Sequence, residues 1–62
     1  MKYYVEYNAQ LMGVYKSLKS AMNLIARKGW KNNESNLLYL FDSEGEYYNP
    51  QTGENITEEI NL

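Results

Sequence analysis

The chain reads as an α+β domain of ββαββ order, a single antiparallel sheet with one helix packed on one face. Three observations predict this. The stretch Ser17–Trp30 has the period and the end signals of a helix. Short β-rich runs stand in pairs on either side of it. Turn-forming residues separate the members of each pair.

The first run is Lys2–Tyr7, KYYVEY. Its alternation puts Tyr3, Val5 and Tyr7 on one side, the expected core face, and Lys2, Tyr4 and Glu6 on the other. Asn8-Ala9-Gln10 can turn the chain, and Leu11–Lys16 returns as an antiparallel second strand. Gly13 inside that strand predicts a bulge or the close approach of another backbone. A β-α-β-β order, with these two runs merged into one irregular segment, is the alternative.

In the helix, Leu18, Ala21, Met22 and Ile25 follow the spacing of one apolar face, which Ala26 widens. Leu24 falls off that stripe and is expected half exposed or at a contact. Lys19, Asn23 and Arg27 recur every four residues on the other side. Ser17 suits the N-cap, and Gly29 suits the left-handed residue that ends a helix. Trp30 should then touch Ile25. Arg27 and Lys28 stand in the last turn, where the helix dipole favours cations.

Lys31–Asn36 reads as a polar loop and Leu37–Phe41, LLYLF, as a buried central strand. Asp42-Ser43-Glu44-Gly45 is a turn, and Glu46–Asn49 returns as the last strand, closed by Pro50. Gln51–Asn55 turns again at Gly53. Ile56 can dock on the core, and Thr57-Glu58-Glu59 fits either one short helical turn or a tail.

A chain of 62 residues makes one small domain, whose burial barely offsets chain entropy. It has no Cys and no His, so a disulfide and an ordinary zinc site are both excluded. Further burial must come from dense aromatic packing, or from a second copy or a partner. Seven Tyr, one Trp and one Phe serve either route. No apolar run approaches the ~18 residues of a membrane span. The N-terminus shows no signal-peptide core, so the expected location is cytoplasmic. Two Asn-x-Ser/Thr triplets, Asn33–Ser35 and Asn55–Thr57, are read as chance in that setting.

Charge is divided along the chain. All six bases (Lys2, Lys16, Lys19, Arg27, Lys28, Lys31) lie in the first half with one acid, Glu6. The second half has no base; its acids are Glu34, Asp42, Glu44, Glu46, Glu54, Glu58 and Glu59. In a folded domain this division can simply hold the halves together and keep the surface solvated. It also makes a dipolar particle whose acidic end suits a basic site on a partner.

Catalysis is not expected. Without His or Cys no Ser–His or Cys–His arrangement can form, and the carboxylates fall on turns rather than in a cleft. Asp42–Glu46 is not an EF-hand: its glycine comes too early and no Glu follows at the required spacing. No cofactor and no metal are implied.

The layout resembles small phage and mobile-element proteins, among them inhibitors of host nucleases of the anti-CRISPR kind. Size, lack of Cys, a tyrosine-rich sheet and a clustered acidic end carry the resemblance. Ser17-x-x-x-Ala21 opening the helix and Asp42-x-x-Gly45 turning the last hairpin resemble, more generally, patterns of small ββαββ proteins. The resemblance to the inhibitors implies a basic protein partner, such as a host nuclease complex, and assigns no residue a role.

The expected function is therefore that of a non-enzymatic protein-binding module. Asp42, Glu44, Glu46 and Glu54 would meet a basic, nucleic-acid-binding site on the partner. Tyr39, Tyr47 and Tyr48 would be the aromatic anchors. One alternative is a nucleic-acid binder using a basic helix face of Lys16, Lys19, Asn23, Arg27, Lys28 and Lys31. Another is a self-assembling module, a homodimer in its simplest form.

Overall fold

The computed structural model describes residues 1–31 and 37–60. The expected polar loop lies outside the described residues except for Lys31, as does the Asn33–Ser35 triplet. Strands β1 (Tyr3–Tyr7), β2 (Gln10–Tyr15), β3 (Leu38–Asp42) and β4 (Tyr47–Tyr48) form one antiparallel sheet, in the spatial order β2-β1-β3-β4. Helix α1 (Leu18–Lys28) packs on one face, and a short α2 (Thr57–Ile60) follows β4. The order is thus ββαββ with a final helical turn.

The core lies between α1 and the sheet. Ala21, Leu24 and Ile25 of the helix meet Val5, Leu38 and Leu40 of the two central strands. Tyr3, Tyr7, Tyr15, Leu18, Met22, Trp30 and Tyr48 close round that cluster. Leu24 is buried, the contact alternative rather than the half-exposed one, while Ala26 is exposed. The buried stripe centres on Ala21, Leu24 and Ile25. The expected Leu18, Ala21, Met22 and Ile25 all face the core, and Leu24 rather than Ala26 widens their stripe.

Both ends of α1 are capped as its sequence dictates. The Ser17 hydroxyl accepts from the Ser20 N–H at 3.2 Å. Gly29, at φ 70°, donates to Ala26 O at 3.1 Å, and Trp30 N donates to Ile25 O at 3.2 Å. These two bonds satisfy the last carbonyls. Trp30 then stacks on Tyr7, ring centres 4.2 Å apart.

The sheet shows two local irregularities. Its register along β1 and β2 slips between Val5 and Glu6, leaving Met12 as the extra residue of a bulge. The bulge expected near Gly13 is thus present. The group close to Gly13 is the ring of Tyr15, however, which an added Cβ would meet at 2.7 Å, and not another backbone. The β1–β2 turn places Asn8 and Ala9 at φ 50° and 67°. This is the handedness a two-residue hairpin needs. Asn8 tolerates it and is tied to the start of β3: its N–H donates to Leu37 O at 3.0 Å, and its Oδ1 accepts from Leu37 N at 3.4 Å.

Residues 49–54 cover the rest of the helix-side face. Pro50 is buried, and Gln51 Nε2 donates to Trp30 O at 3.0 Å. Gly53, at φ 79°, lies so close to α1 that a Cβ would meet Met22 Sδ at 3.0 Å. Asn55–Thr57 then runs beside β4. Ile56 N donates to Tyr47 O at 2.8 Å, and Tyr47 N donates to the Thr57 hydroxyl at 2.9 Å. The end of the chain is thereby a short helix rather than a tail as far as Ile60, and Ile56 is half-buried.

Among the described residues, Ala9 is the one turn residue with a Cβ and no side-chain partner for its left-handed backbone. Ala9→Gly should raise stability by about 0.5–1 kcal/mol, the steric gain outweighing the added freedom of the unfolded chain. Leu40→Ala, in the closed centre of the sheet, should cost about 2–5 kcal/mol. Urea unfolding followed by tryptophan fluorescence measures both.

Candidate functional site

The helix covers one face of the sheet and leaves the other open. On that open face the register aligns Val14 of β2, Tyr4 of β1, Phe41 of β3 and Tyr47 of β4 in one row across all four strands. Tyr4 stacks on Phe41 with centres 5.4 Å apart, and Phe41 meets Tyr47 at 5.4 Å. A second row sets Leu11, Glu6 and Tyr39 side by side. Tyr39 joins the first row through an edge contact with Tyr47 at 6.1 Å. The rings are half-buried by one another, and Leu11 and Val14 are exposed. The result is a continuous aromatic and aliphatic surface, broken by one carboxylate.

The strands position these side chains by simple alternation. In β1, Tyr3, Val5 and Tyr7 point to the helix, so Tyr4 and Glu6 point away. In β3, Leu38, Leu40 and Asp42 are buried, so Tyr39 and Phe41 face out. In β4, Tyr48 joins the core and Tyr47 does not.

Two of the residues expected at a binding surface are therefore elsewhere. Asp42 is only 3 % exposed. Its Oδ1 accepts from the Glu44 N–H at 2.8 Å and the Glu46 N–H at 3.0 Å, and its Oδ2 accepts from the Tyr48 hydroxyl at 2.7 Å. It is the internal acceptor of the β3–β4 turn, not a contact for a partner. Tyr48 is correspondingly turned to the helix side, with its ring 5.9 Å from that of Tyr3. The cause is period two: Asp42 and Tyr48 fall on the same side as Leu40, so the expected set mixes both faces of the sheet.

Burial works against the charge on Asp42 and is the largest single influence on it. The three hydrogen bonds, led by that of Tyr48, outweigh it together and hold the carboxyl below the ordinary aspartate range. The same bond, helped by burial and by the nearby negative charge, pushes the Tyr48 hydroxyl up to about 12. The pair is thus a carboxylate and a neutral phenol across the neutral range.

The remaining acids divide. Glu44 is exposed in the turn. Glu46 and Glu54 line one depression at the β4 edge, together with Asn55, Ile56, Thr57, Glu58 and Glu59. Glu58 and Glu59 were not expected there; they come in because α2 folds back beside β4. Among the described residues no group of acids is arranged to hold a metal ion.

The basic set lies on other sides. Lys16, Lys19, Asn23, Arg27, Lys28 and Lys31 are all exposed, and the helical members project from the outer side of α1. Asn23 and Arg27 line a shallow depression with Tyr15, Ser20 and Ala26. The whole thickness of the sheet separates that depression from the open aromatic face. Phe41, Val14 and Leu11 were missed as surface residues. The alternation of β1 had already placed Tyr4 and Glu6 opposite the core, whereas β3 is apolar on both sides and hid Phe41.

No family model matches the chain, nor does any curated protein or solved structure.

The buried pair makes stability depend on pH at both extremes. Asp42 has a lowered value in the folded state, so its contribution is present above the ordinary 3.8 and is lost as pH falls through the folded value. Tyr48 is raised, so its contribution is complete below 10.0 and disappears as pH rises toward about 12. Urea midpoints measured from pH 2 to 12 should show a plateau falling at each end. Tyr48→Phe should be less stable on the plateau, and its difference from wild type should shrink above pH 10.

Proposed function

We propose that the protein is a non-enzymatic binding module whose open sheet face docks on another protein. The observation that carries this reading is the uncovered row Val14–Tyr4–Phe41–Tyr47, with Tyr39 beside it. Interlocked rings that present part of their area to solvent are the composition of an interface centre, and tyrosine is prominent among hot-spot residues. The β4 end of the row adjoins the acidic depression of Glu46, Glu54, Glu58 and Glu59. An apolar centre with a negative border suits a partner surface of the converse kind, apolar in the middle and basic at the rim.

The partner chemistry is that of a protein site which ordinarily holds nucleic acid. This is the form the resemblance to small phage inhibitors takes: the module would occupy a basic groove and exclude its normal ligand. The anchors in this reading are Tyr39 and Tyr47, and the border is Glu44, Glu46 and Glu54. Asp42 and Tyr48 act only through the shape of the turn.

A second reading, nucleic-acid binding, rests on the exposed cations of α1 and the depression at Asn23 and Arg27. The layout favours it less. Stacking needs rings and phosphates need cations, and here the exposed rings and the helical cations lie on opposite faces.

Three double variants separate these readings in capture from host lysate. Tyr39→Ser with Tyr47→Ser, and Glu46→Lys with Glu54→Lys, should each reduce capture of the wild-type partner at least about tenfold, as loss of hot-spot or border contacts does. Lys19→Glu with Arg27→Glu should leave it unchanged. Capture that survives both of the first two variants defeats the proposal. Tight binding of generic oligonucleotides at low salt, lost in the helix variant, would favour the second reading.

A further inference from the structure

The two rows of the open face contain a single charge. Glu6 stands in β1, with Leu11 on one side, Tyr39 on the other and Tyr4 two residues before it on the same face. It is half-buried, and among the described residues no cation pairs with it. A carboxylate set among apolar and aromatic neighbours loses part of its hydration and gains nothing in return until a cation arrives. The cation must reach the carboxylate while lying against rings. An arginine guanidinium does both at once: it is planar, weakly hydrated, donates two parallel bonds to a carboxylate and stacks on aromatic faces. A lysine ammonium is compact and strongly hydrated, and fills only the first role. Phosphates and acidic peptides would meet Glu6 as a like charge.

From this placement we propose that the open face recognises arginine side chains of its protein partner, with Glu6 as the anchor and Tyr4 and Tyr39 as the flanking rings. Phe41 and Tyr47 extend the apolar bed toward β4. Four strands span about 14 Å, so an extended partner segment of about four residues can cross the face. The inference rests on the binding-module reading and names the side chain that the partner brings.

The test uses the isotopically labelled protein and three blocked peptides that differ only in carrying arginine, lysine or citrulline. The arginine peptide should shift the amide signals of Tyr4, Glu6, Tyr39 and Phe41. It should bind about fivefold more tightly than the lysine peptide, the gain of a paired and stacked guanidinium at an exposed site. Citrulline, uncharged and of the same shape, should not bind. Glu6→Gln should abolish the preference while keeping a folded spectrum. Equal binding of arginine and lysine, retention by citrulline, or shifts gathered on α1 would each overturn the inference. So would a single-stranded oligonucleotide that shifts these rows at lower concentration than the arginine peptide. The two readings fail separately. Lysate capture that still depends on Tyr39 and Tyr47, without any arginine preference, removes only the role given to Glu6.

Discussion

One helix of three turns can cover only one face of a four-stranded sheet, and this constraint governs the rest of the molecule. The core is accordingly thin. Val5, Leu38 and Leu40 face Ala21, Leu24 and Ile25, and no second layer lies beyond the sheet among the described residues. The other face must then be made tolerable in water. It is tiled by rings that shelter each other, Tyr4 on Phe41 and Phe41 against Tyr47, so that each exposes only part of its surface. The surface proposed to bind and the modest size of the core have the same origin.

Asp42 joins the two halves of this arrangement. It is the last residue of β3, buried beneath the hairpin turn, and three donors converge on its two oxygens. Two of those donors are the amides of Glu44 and Glu46, so the carboxylate fixes the path of the turn. The third is Tyr48, whose hydroxyl is held facing inward. Because strand residues alternate, holding Tyr48 inward holds Tyr47 outward. A buried charge thus sets the outer aromatic row without belonging to it.

The elements with local rules were legible in the sequence. Ser17 and Gly29 announced both ends of α1, and Trp30, expected to touch Ile25, packs against the cluster that holds Ile25 and also bonds it through the backbone. The side of β1 that packs was given by period two. What escaped was anything requiring a partner distant in the chain. Leu24 looked misplaced until the helix met Leu38 and Leu40. Asp42 looked like a surface turn residue because its acceptor role depends on Tyr48 and on the path of the turn. Phe41 was hidden because LLYLF is apolar on both faces, so alternation carries no contrast there. The acids of α2 joined Glu46 only because Thr57 bonds back to β4.

The two margins of the sheet are finished differently. Along β4 the amide and carbonyl of Tyr47 are both engaged by Ile56 and Thr57, so that margin is sealed. Strand β2 carries no charge from Gln10 to Tyr15, and among the described residues its outer margin pairs with nothing. Lateral growth is therefore a one-sided affair. Two copies joined through their β2 margins would each turn toward the next the β4 side, where Tyr47 is already paired by Ile56 and Thr57.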